Sequence, residues 1–247
     1  MKIFRKIRFD LLKNSNSAKY FKYAIGEIIL VVLGILIALQ INLWNEKRKN
    51  HSILTTNLQG VLRELKTDST NIGRTLKSYN EIIKVRKAFI NEPNYEKLSL
   101  GVLEENLENF SKELNLEYSY FKKIQNSGIS EFGIYEKIIE GLIYYYDNAL
   151  PYLNKITSTY DEQVTREDEF WRYEQNKYEF NYLDGLKSYQ TDKAAKKKLI
   201  NLLKSPTARN ILKIDVRRNQ FLTERLSILQ KNLNKLIMRL QKVLEEK

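Results

Sequence analysis

His51 is the residue from which acid–base or metal chemistry would have to start, because it is the only histidine of the 247-residue chain. A helical carboxylate-bridged metal site needs Glu-x-x-His pairs, and the sequence contains none. A serine hydrolase would need His51 as its base and a nucleophile elbow, which is also missing. The chain has no cysteine, so thiolate ligands and thiol nucleophiles are excluded. We therefore expect no catalytic residue, no metal site and no cofactor, with His51 solvated or facing lipid headgroups.

Two other patterns suggest ligand chemistry but are better explained without it. Gly128 and Gly133 have the spacing of a phosphate-binding loop, but Ile134-Tyr135 follow where Lys-Ser/Thr is required. Carboxylates cluster in two segments at helical spacing beside Lys and Arg, which is more typical of a solvated helix face than of a cation site. The clustered residues are Glu104, Glu105, Glu108, Asp161, Glu162, Glu167, Asp168 and Glu169.

Aromatic residues concentrate between positions 144 and 178, and three of them are the candidate ligand surface: Trp171, Tyr173 and Tyr178. Aromatic faces near arginine can bind glycans or peptides, but helices also use such residues as ordinary core. Core packing is the favoured interpretation, and a ligand surface is the alternative.

A basic region in the last quarter of the chain would permit nucleic-acid binding on charge alone. A domain outside the cytoplasm would instead meet anionic lipid headgroups or envelope polymers, and a plain basic surface is the simplest interpretation. We expect no nucleic-acid partner. The basic residues are Lys193, Lys196, Lys197, Lys198, Arg209, Lys213, Arg217 and Arg218.

The residues from Ile28 to Asn45 form the longest uncharged run, and as a helix they would extend roughly 27 Å, close to the ~30 Å hydrocarbon thickness of a bilayer. Tyr20 and Tyr23 on one side and Trp44 on the other would lie at the two interfaces. A cleaved signal peptide is disfavoured because no small-x-small cleavage site follows. A soluble core helix is disfavoured because the run is apolar on all sides.

The flanking charges indicate the orientation of this span. Seven Lys/Arg precede it within residues 1–27, whereas only Lys47, Arg48 and Lys49 follow it closely, so the positive-inside rule predicts a cytoplasmic N-terminus. The sequence thus divides into a basic cytoplasmic head (1–22), a transmembrane helix (23–45) and an extracytoplasmic helical domain (46–247). The head is either an amphipathic helix on the anionic leaflet or a plain basic tail.

Within the span, Gly34 and Ala38 form a small-x-x-x-small pair that permits close helix approach, so self-association is a hypothesis. Gln40 and Asn42 are the polar residues of the span. If both faced inward in an oligomer of spans, they would line a pore or transport assembly.

Apolar periodicity predicts an all-α, elongated bundle or coiled-coil-like domain after the span. Leu54, Leu58, Val61 and Leu65 step by 4 and 3, and the spacing predicts a slip in phase around Asp68 before the stripe continues to Ile90. Further helices are predicted at 97–112, 116–125, from 133 toward Phe180 with a kink at Pro151, at 194–204, and from Pro206 onward. The last helix has a strict heptad that pairs within the chain or, alternatively, with another copy. Its members are Leu222, Leu226, Leu229, Leu233, Leu236, Leu240 and Val243.

The segments "FRKIR" and "KYFKYAIGEIILVVLGILIALQINLWNE" resemble the start of an uncharacterised family of single-pass membrane proteins common in flavobacteria and other Bacteroidota. The stretch "YFKKIQNSGISEFG…IIEGLIYYYD", Tyr120 to Asp147, resembles a second part of that family, in which a Ser-Gly turn precedes a helix ending in paired tyrosines. The resemblance implies a single-pass protein of the bacterial inner membrane and leaves its activity open, because the family is a domain of unknown function.

Together these patterns favour a non-enzymatic, membrane-anchored scaffold or sensor that acts through protein–protein contacts at the cell envelope. A subunit of an oligomeric channel or transport assembly is one alternative, and a glycan- or lipid-binding protein of the envelope is another. The expected partners are membrane lipids, a second copy of the chain, or another envelope protein.

Overall fold

The computed structural model describes residues 17–107, 114, 116, 118–180 and 189–246, with side chains from residue 21 onward. Residues 1–16, most of the predicted basic head, and the clustered Glu108 lie outside the described residues. Within the described part every regular element is helical, which confirms the all-α prediction. The chain divides into two units, Met1–Thr56 and Asn57–Lys247.

The helix boundaries agree with the predicted ones at several ends and differ at others. Helix α1 runs without interruption over Ser17–Ile90, and α7 begins at Pro206 as predicted, with the Ser205 hydroxyl accepting the N–H of Ala208 as its N-cap. The helix predicted over 97–112 is shorter, and the one predicted to reach Phe180 ends at Glu174. The α-helices after α1 are α2 (Leu100–Glu105), α3 (Ser119–Gln125), α4 (Glu136–Ile143), α5 (Leu150–Glu169), α6 (Asp192–Leu203) and α7 (Pro206–Glu245).

Four short helical turns complete the described elements. Two are 3-10 turns, Tyr95–Lys97 and Gly133–Tyr135, and two are π-helical turns, Tyr144–Ala149 and Phe170–Glu174. The first π turn joins α4 to α5, and the second ends α5, so α4, α5 and both π turns form one continuous helical stretch.

In the first unit, the apolar segment of α1 has no protein covering it. It is the one described helix that is long and apolar enough to cross a membrane, with a mean hydropathy of 2.6 in its most apolar window and none of that window buried. All its large apolar side chains from Ile28 to Trp44 are exposed. This exposure argues against the soluble-core interpretation, because a core helix would be mostly covered.

The second unit contains a bundle of three long helical segments: α1 from residue 57 onward, α4–α5, and α7. Cross-links fix its directions. Arg86 of α1 contacts Asp215 in the first part of α7, and Ser69 of α1 contacts Asn234 further along α7. The two helices therefore run antiparallel. The heptad leucines of α7 from Leu222 to Leu240 are buried against these helices of the same chain. The stripe is therefore occupied within one chain, as the first of the two alternatives predicts.

The buried face of α1 keeps its register through Asp68, where the sequence suggested a slip. Leu65, Asp68 and Ile72 step by 3 and 4, and all three are fully buried. The seam is therefore continuous, and the apparent stutter arose because Asp68 is polar at a position where an apolar residue was expected. The Tyr145 hydroxyl donates a hydrogen bond to Asp68 Oδ2 at 3.0 Å, which makes burial of this carboxylate tolerable.

The helix continues through Pro151, the residue at which the sequence predicted a kink. The π turn Tyr144–Ala149 lies directly before it, and the Leu150 N–H donates to the carbonyl of Tyr145, five residues back. Proline has no N–H to donate, and its ring crowds the carbonyl four residues earlier, here that of Asp147. The wider π turn contains that carbonyl, and the helix continues as α5.

Candidate functional site

A groove in the second unit, between α4–π–α5 on one side and α7 on the other, has a volume of about 620 Å³. That volume lies within the roughly 300–1,000 Å³ range of small-molecule sites. We call it the α5/α7 groove. Its exposed apolar lining is Ile228 of α7, and the nearly buried Leu153 of α5 and Leu229, Leu233 and Leu236 of α7 lie at its floor.

The two helical segments contact each other through side chains on either side of the groove. At one end, a Cβ atom on Gly141 would lie 2.8 Å from Leu236 Cδ1, so the absence of a side chain at Gly141 lets the tip of Leu236 pack closely there. At the other end, the rings of Tyr160 and Phe221 meet edge to face at 6.4 Å. Phe221 and Leu236 are fifteen residues apart, or roughly 22 Å along α7. The groove is thus bounded at both ends.

Two tyrosines of the first π turn, Tyr144 and Tyr145, line one wall of the groove, and Tyr146 beside them packs into the core. Tyr144 is 60% exposed, whereas Tyr145 and Tyr146 are buried. Tyr146 stacks on Phe121 of α3 at 4.8 Å. Tyr152, one turn into α5, adds a second exposed ring, 54% accessible. The wall therefore offers aromatic faces and hydroxyl groups to a ligand.

Burial raises the pKa of the Tyr145 hydroxyl far above its ordinary value, and the charge and hydrogen bond of Asp68 raise it further. Burial likewise raises the pKa of Tyr146, with smaller contributions from Asp68 and Glu64. Both phenols are therefore neutral at physiological pH, and Tyr145 acts as a donor to Asp68. Tyr145 thereby ties this wall of the groove to α1.

The opposite rim of the groove is basic. Arg225, Lys235 and Arg239 line it, and no carboxylate does so among the residues that the structure describes. None of the three cations forms an ion pair with any residue that the structure describes. The Arg225 guanidinium lies over the Phe221 ring, 4.6 Å from its centroid, and its Nε is buried without a hydrogen-bond partner. The rim is suited to an anionic group, and the leucines below it are suited to an apolar one.

The chain belongs to a family of unknown function, DUF6090. Its family model matches residues 27–159, more than half of the chain. Comparison with curated proteins and with solved structures finds no match. In this DUF6090 chain, the matched residues include the apolar segment of α1 and the tyrosine wall of the groove, whereas α7 with the basic rim lies beyond them.

A cluster of buried ions pins α1, α5 and α7 together away from the groove. Arg218 makes two hydrogen bonds of 2.8 Å to Glu167 and one of 2.9 Å to Asp215, and Arg86 reaches Asp215 at 3.1 Å. Burial alone would lower the pKa of Arg218, but Glu167 and Asp215 outweigh it and raise the pKa above its usual value. Two cations and two anions balance, so the cluster is neutral as a whole.

This cluster corrects two interpretations made from the sequence. Glu167 is only 11% exposed in its side chain, so it does not belong to a solvated face as its acidic neighbours were expected to do. Arg218 is buried, so it is not part of the predicted basic surface. The sequence alone could not distinguish Glu167 and Arg218 from their charged neighbours, because these two residues pair across 51 positions.

The three residues of the alternative aromatic ligand surface do not share one exposed face. Trp171 and Tyr178 are buried in a second core with Phe89, Leu103 and Leu199, and only Tyr173 is exposed, at 79%. The Tyr178 hydroxyl donates to Glu104 at 2.6 Å, so one of the clustered carboxylates holds this core as well. Trp171 and Tyr178 are therefore core residues, in agreement with the favoured interpretation of core packing.

The candidate residues of the span are all on α1. Tyr23 and Trp44 are exposed, and Arg48 lies over the Trp44 ring at 5.2 Å. The side chain of Tyr20 lies outside the description. Helical periodicity places Gly34, Ala38 and Asn42 on one face, since they are one turn apart, and it places Gln40 about 200° from Asn42.

Proposed function

We propose that this protein is a non-enzymatic scaffold or sensor of the bacterial inner membrane, anchored by residues 23–45 and acting through contacts of its extracytoplasmic bundle. The anchor is supported by the exposed apolar face of α1, which would be strongly unfavourable in water and is satisfied in lipid. The excess of basic residues before the span supports a cytoplasmic N-terminus.

The observation that carries the contact function is the α5/α7 groove, which combines exposed aromatic and apolar side chains with three cations that have no ion-pair partner in the described chain. Exposed side chains of this kind are characteristic of binding sites, because they gain most from being covered.

The test of this function uses two isoleucines of α7 as a matched pair. Ile228 lines the groove and is 52% exposed, whereas Ile214 is 51% exposed and does not line it. Full-length protein is purified from native membranes after mild crosslinking. We expect a reproducible set of partners that Ile228→Glu loses and Ile214→Glu keeps. Equal partner sets for both variants, or recovery of the protein in the soluble fraction, would refute the proposal.

Self-association through the span is a second proposal, carried by the face formed by Gly34, Ala38 and Asn42. A pore lined by both Gln40 and Asn42 is disfavoured, because these residues point in nearly opposite directions on a helix. The chain has no cysteine, so single-cysteine variants need no background changes. Oxidation in native membranes should crosslink Ala38→Cys and leave Gln40→Cys monomeric; monomers for both would exclude this packing face.

A further inference from the structure

We propose that the α5/α7 groove binds a single-chain anionic amphiphile, such as a fatty acid or a lysophospholipid with a phosphate headgroup. The ligand would be the input that the sensor reads, so this inference rests on the proposed function. Its acyl chain would lie along the leucines of α5 and α7, and its carboxylate or phosphate would meet the basic rim.

The shape of the groove favours an acyl chain over a protein helix. The contacts Gly141–Leu236 and Tyr160–Phe221 close the two ends within roughly 22 Å. A protein partner would contact the exposed edge of the groove, where Ile228 and Tyr152 lie, whereas a single flexible chain can lie between the two contacts. Its methylene groups would lie against Ile228 and against the edges of the nearly buried Leu153 and Leu229.

The charges of the rim select an anionic headgroup. Arg225 is the cation best placed to bind it, because its guanidinium is already held over Phe221 and its Nε is buried without an acceptor. A carboxylate or phosphate can accept two hydrogen bonds from a guanidinium, which gives both direction and strength. Lys235 and Arg239 are exposed and lie one helical turn apart, so they add a positive field that attracts the ligand at longer range.

The exposed tyrosines complete the site. Tyr144 and Tyr152 line the groove and are exposed, so they present aromatic faces beside the path of the acyl chain. Aromatic rings at a boundary between apolar and wet surroundings suit an amphiphile better than a wholly polar ligand such as a glycan.

The binding experiment uses the full-length protein in nanodiscs of zwitterionic lipid, which leave no detergent to fill the groove. A naturally fluorescent polyene fatty acid serves as the probe, and palmitic acid, lysophosphatidic acid and hexadecanol compete with it. We expect saturable binding of one probe per chain, with displacement by both anions and little displacement by the alcohol. The stronger of the two anions then identifies the headgroup chemistry.

Matched variants test the assigned residues. Replacing Arg225 by Gln should weaken binding by roughly ten- to a hundredfold, because it removes charge-assisted hydrogen bonds. The control is Arg217→Gln, an exposed arginine of the same helix that does not line the groove, and it should bind like the wild type. Ile228→Asp should weaken binding, and Ile214→Asp should not.

Several results would overturn the inference. No saturable binding to the wild type would do so, as would equal displacement by hexadecanol and palmitic acid, or equal losses in Arg225→Gln and Arg217→Gln. Displacement of the probe by an acidic amphipathic peptide but by neither lipid anion would assign the groove to a protein partner instead. If lipid binding fails while Ile228→Glu still loses its crosslinked partners, this inference falls and the contact function stands. If lipid binds but the partner sets are unchanged, the contact function falls.

Discussion

Replacing Arg218 by Met should destabilise the bundle more than most single substitutions. Arg218 is 4% exposed in its side chain and makes three short charged contacts, two of them to Glu167. After its removal, Asp215 keeps Arg86 at 3.1 Å and the Asn219 amide at 3.1 Å. Glu167, in contrast, loses the only ion-pair partner it has in the described chain, and it stays almost completely buried.

The magnitude follows from that unpaired charge. Breaking a buried ion pair by removing one partner typically costs about 3–5 kcal/mol, because the remaining ion has lost both water and its counter-ion. Replacing both members by groups without charge avoids this penalty. We therefore expect Arg218→Met to lower the free energy of unfolding by about 3–5 kcal/mol, and the double variant Arg218→Met/Glu167→Gln to recover most of the loss.

The assay is urea unfolding of the full-length chain in nonionic micelles, followed by tryptophan fluorescence. The chain has two tryptophans, and a Trp44→Phe background leaves only Trp171, which is 2% exposed in the second core and so reports on unfolding of the bundle. A loss below about 1 kcal/mol for Arg218→Met, the range of exposed ion pairs, would refute the reasoning. A double variant whose loss equals the sum of the two single losses would also refute it.

Three further predictions use the same assay. A Cβ on Gly60 would overlap the Tyr120 ring, so Gly60→Ala should lower the free energy of unfolding by about 1–3 kcal/mol. Gly101→Ala has open space around it and should not lower it, so equal effects of the two substitutions would contradict the packing. Ser205→Ala removes a capping bond and should lose about 0.5–2 kcal/mol, more than Thr191→Ala, whose side chain caps nothing; the reverse order would be a failure. Because the pKa of Tyr145 is raised, the folded state keeps a phenol proton that the unfolded state loses above pH ~10. The contribution of this group to the free energy of unfolding is therefore fully present below that pH, and it falls above it by about 1.4 kcal/mol per pH unit. Tyr145→Phe should reduce that alkaline slope by the same amount, and an unchanged slope would show that this phenol is not responsible.

Periodicity predicted those parts of the fold in which apolar residues alone decide the packing. The heptad of α7 and its start at Pro206 could be identified because leucine spacing and a proline at the first helical position are local signals. The exposed apolar segment of α1 could be identified for the same reason. These features need no knowledge of which helix lies beside which.

Buried polar residues were missed because their partners are distant in the sequence. Asp68 looked like a break in the seam, since its donor Tyr145 is 77 positions away. Glu167 looked like one of several surface carboxylates, since only the fold brings Arg218 to it. An apolar-or-polar pattern cannot distinguish a buried ion from a solvated one.

The α5/α7 groove depends on a contact between helices that no local pattern encodes. One signal was present: Arg225, Ile228, Asn232, Lys235 and Arg239 step by 3, 4, 3 and 4 beside the heptad leucines, which is a second stripe on α7. A basic and partly apolar stripe next to a core face is also what an ordinary solvated flank looks like. The contact at Gly141 lies at one end of the groove, and the π turn before Pro151 supplies Tyr144 and Tyr145 to its wall.

The central claim is that this groove receives a ligand in a membrane-anchored bundle. Site-directed photocrosslinking in native membranes is its most direct test. A photoreactive amino acid replaces Ile228 in one variant and Ile214 in the other, and the adducts are analysed by mass spectrometry after irradiation of living cells. The account predicts a discrete adduct on the membrane-bound protein at position 228 and none at position 214. No adduct at either position, or the same adducts at both, would contradict it.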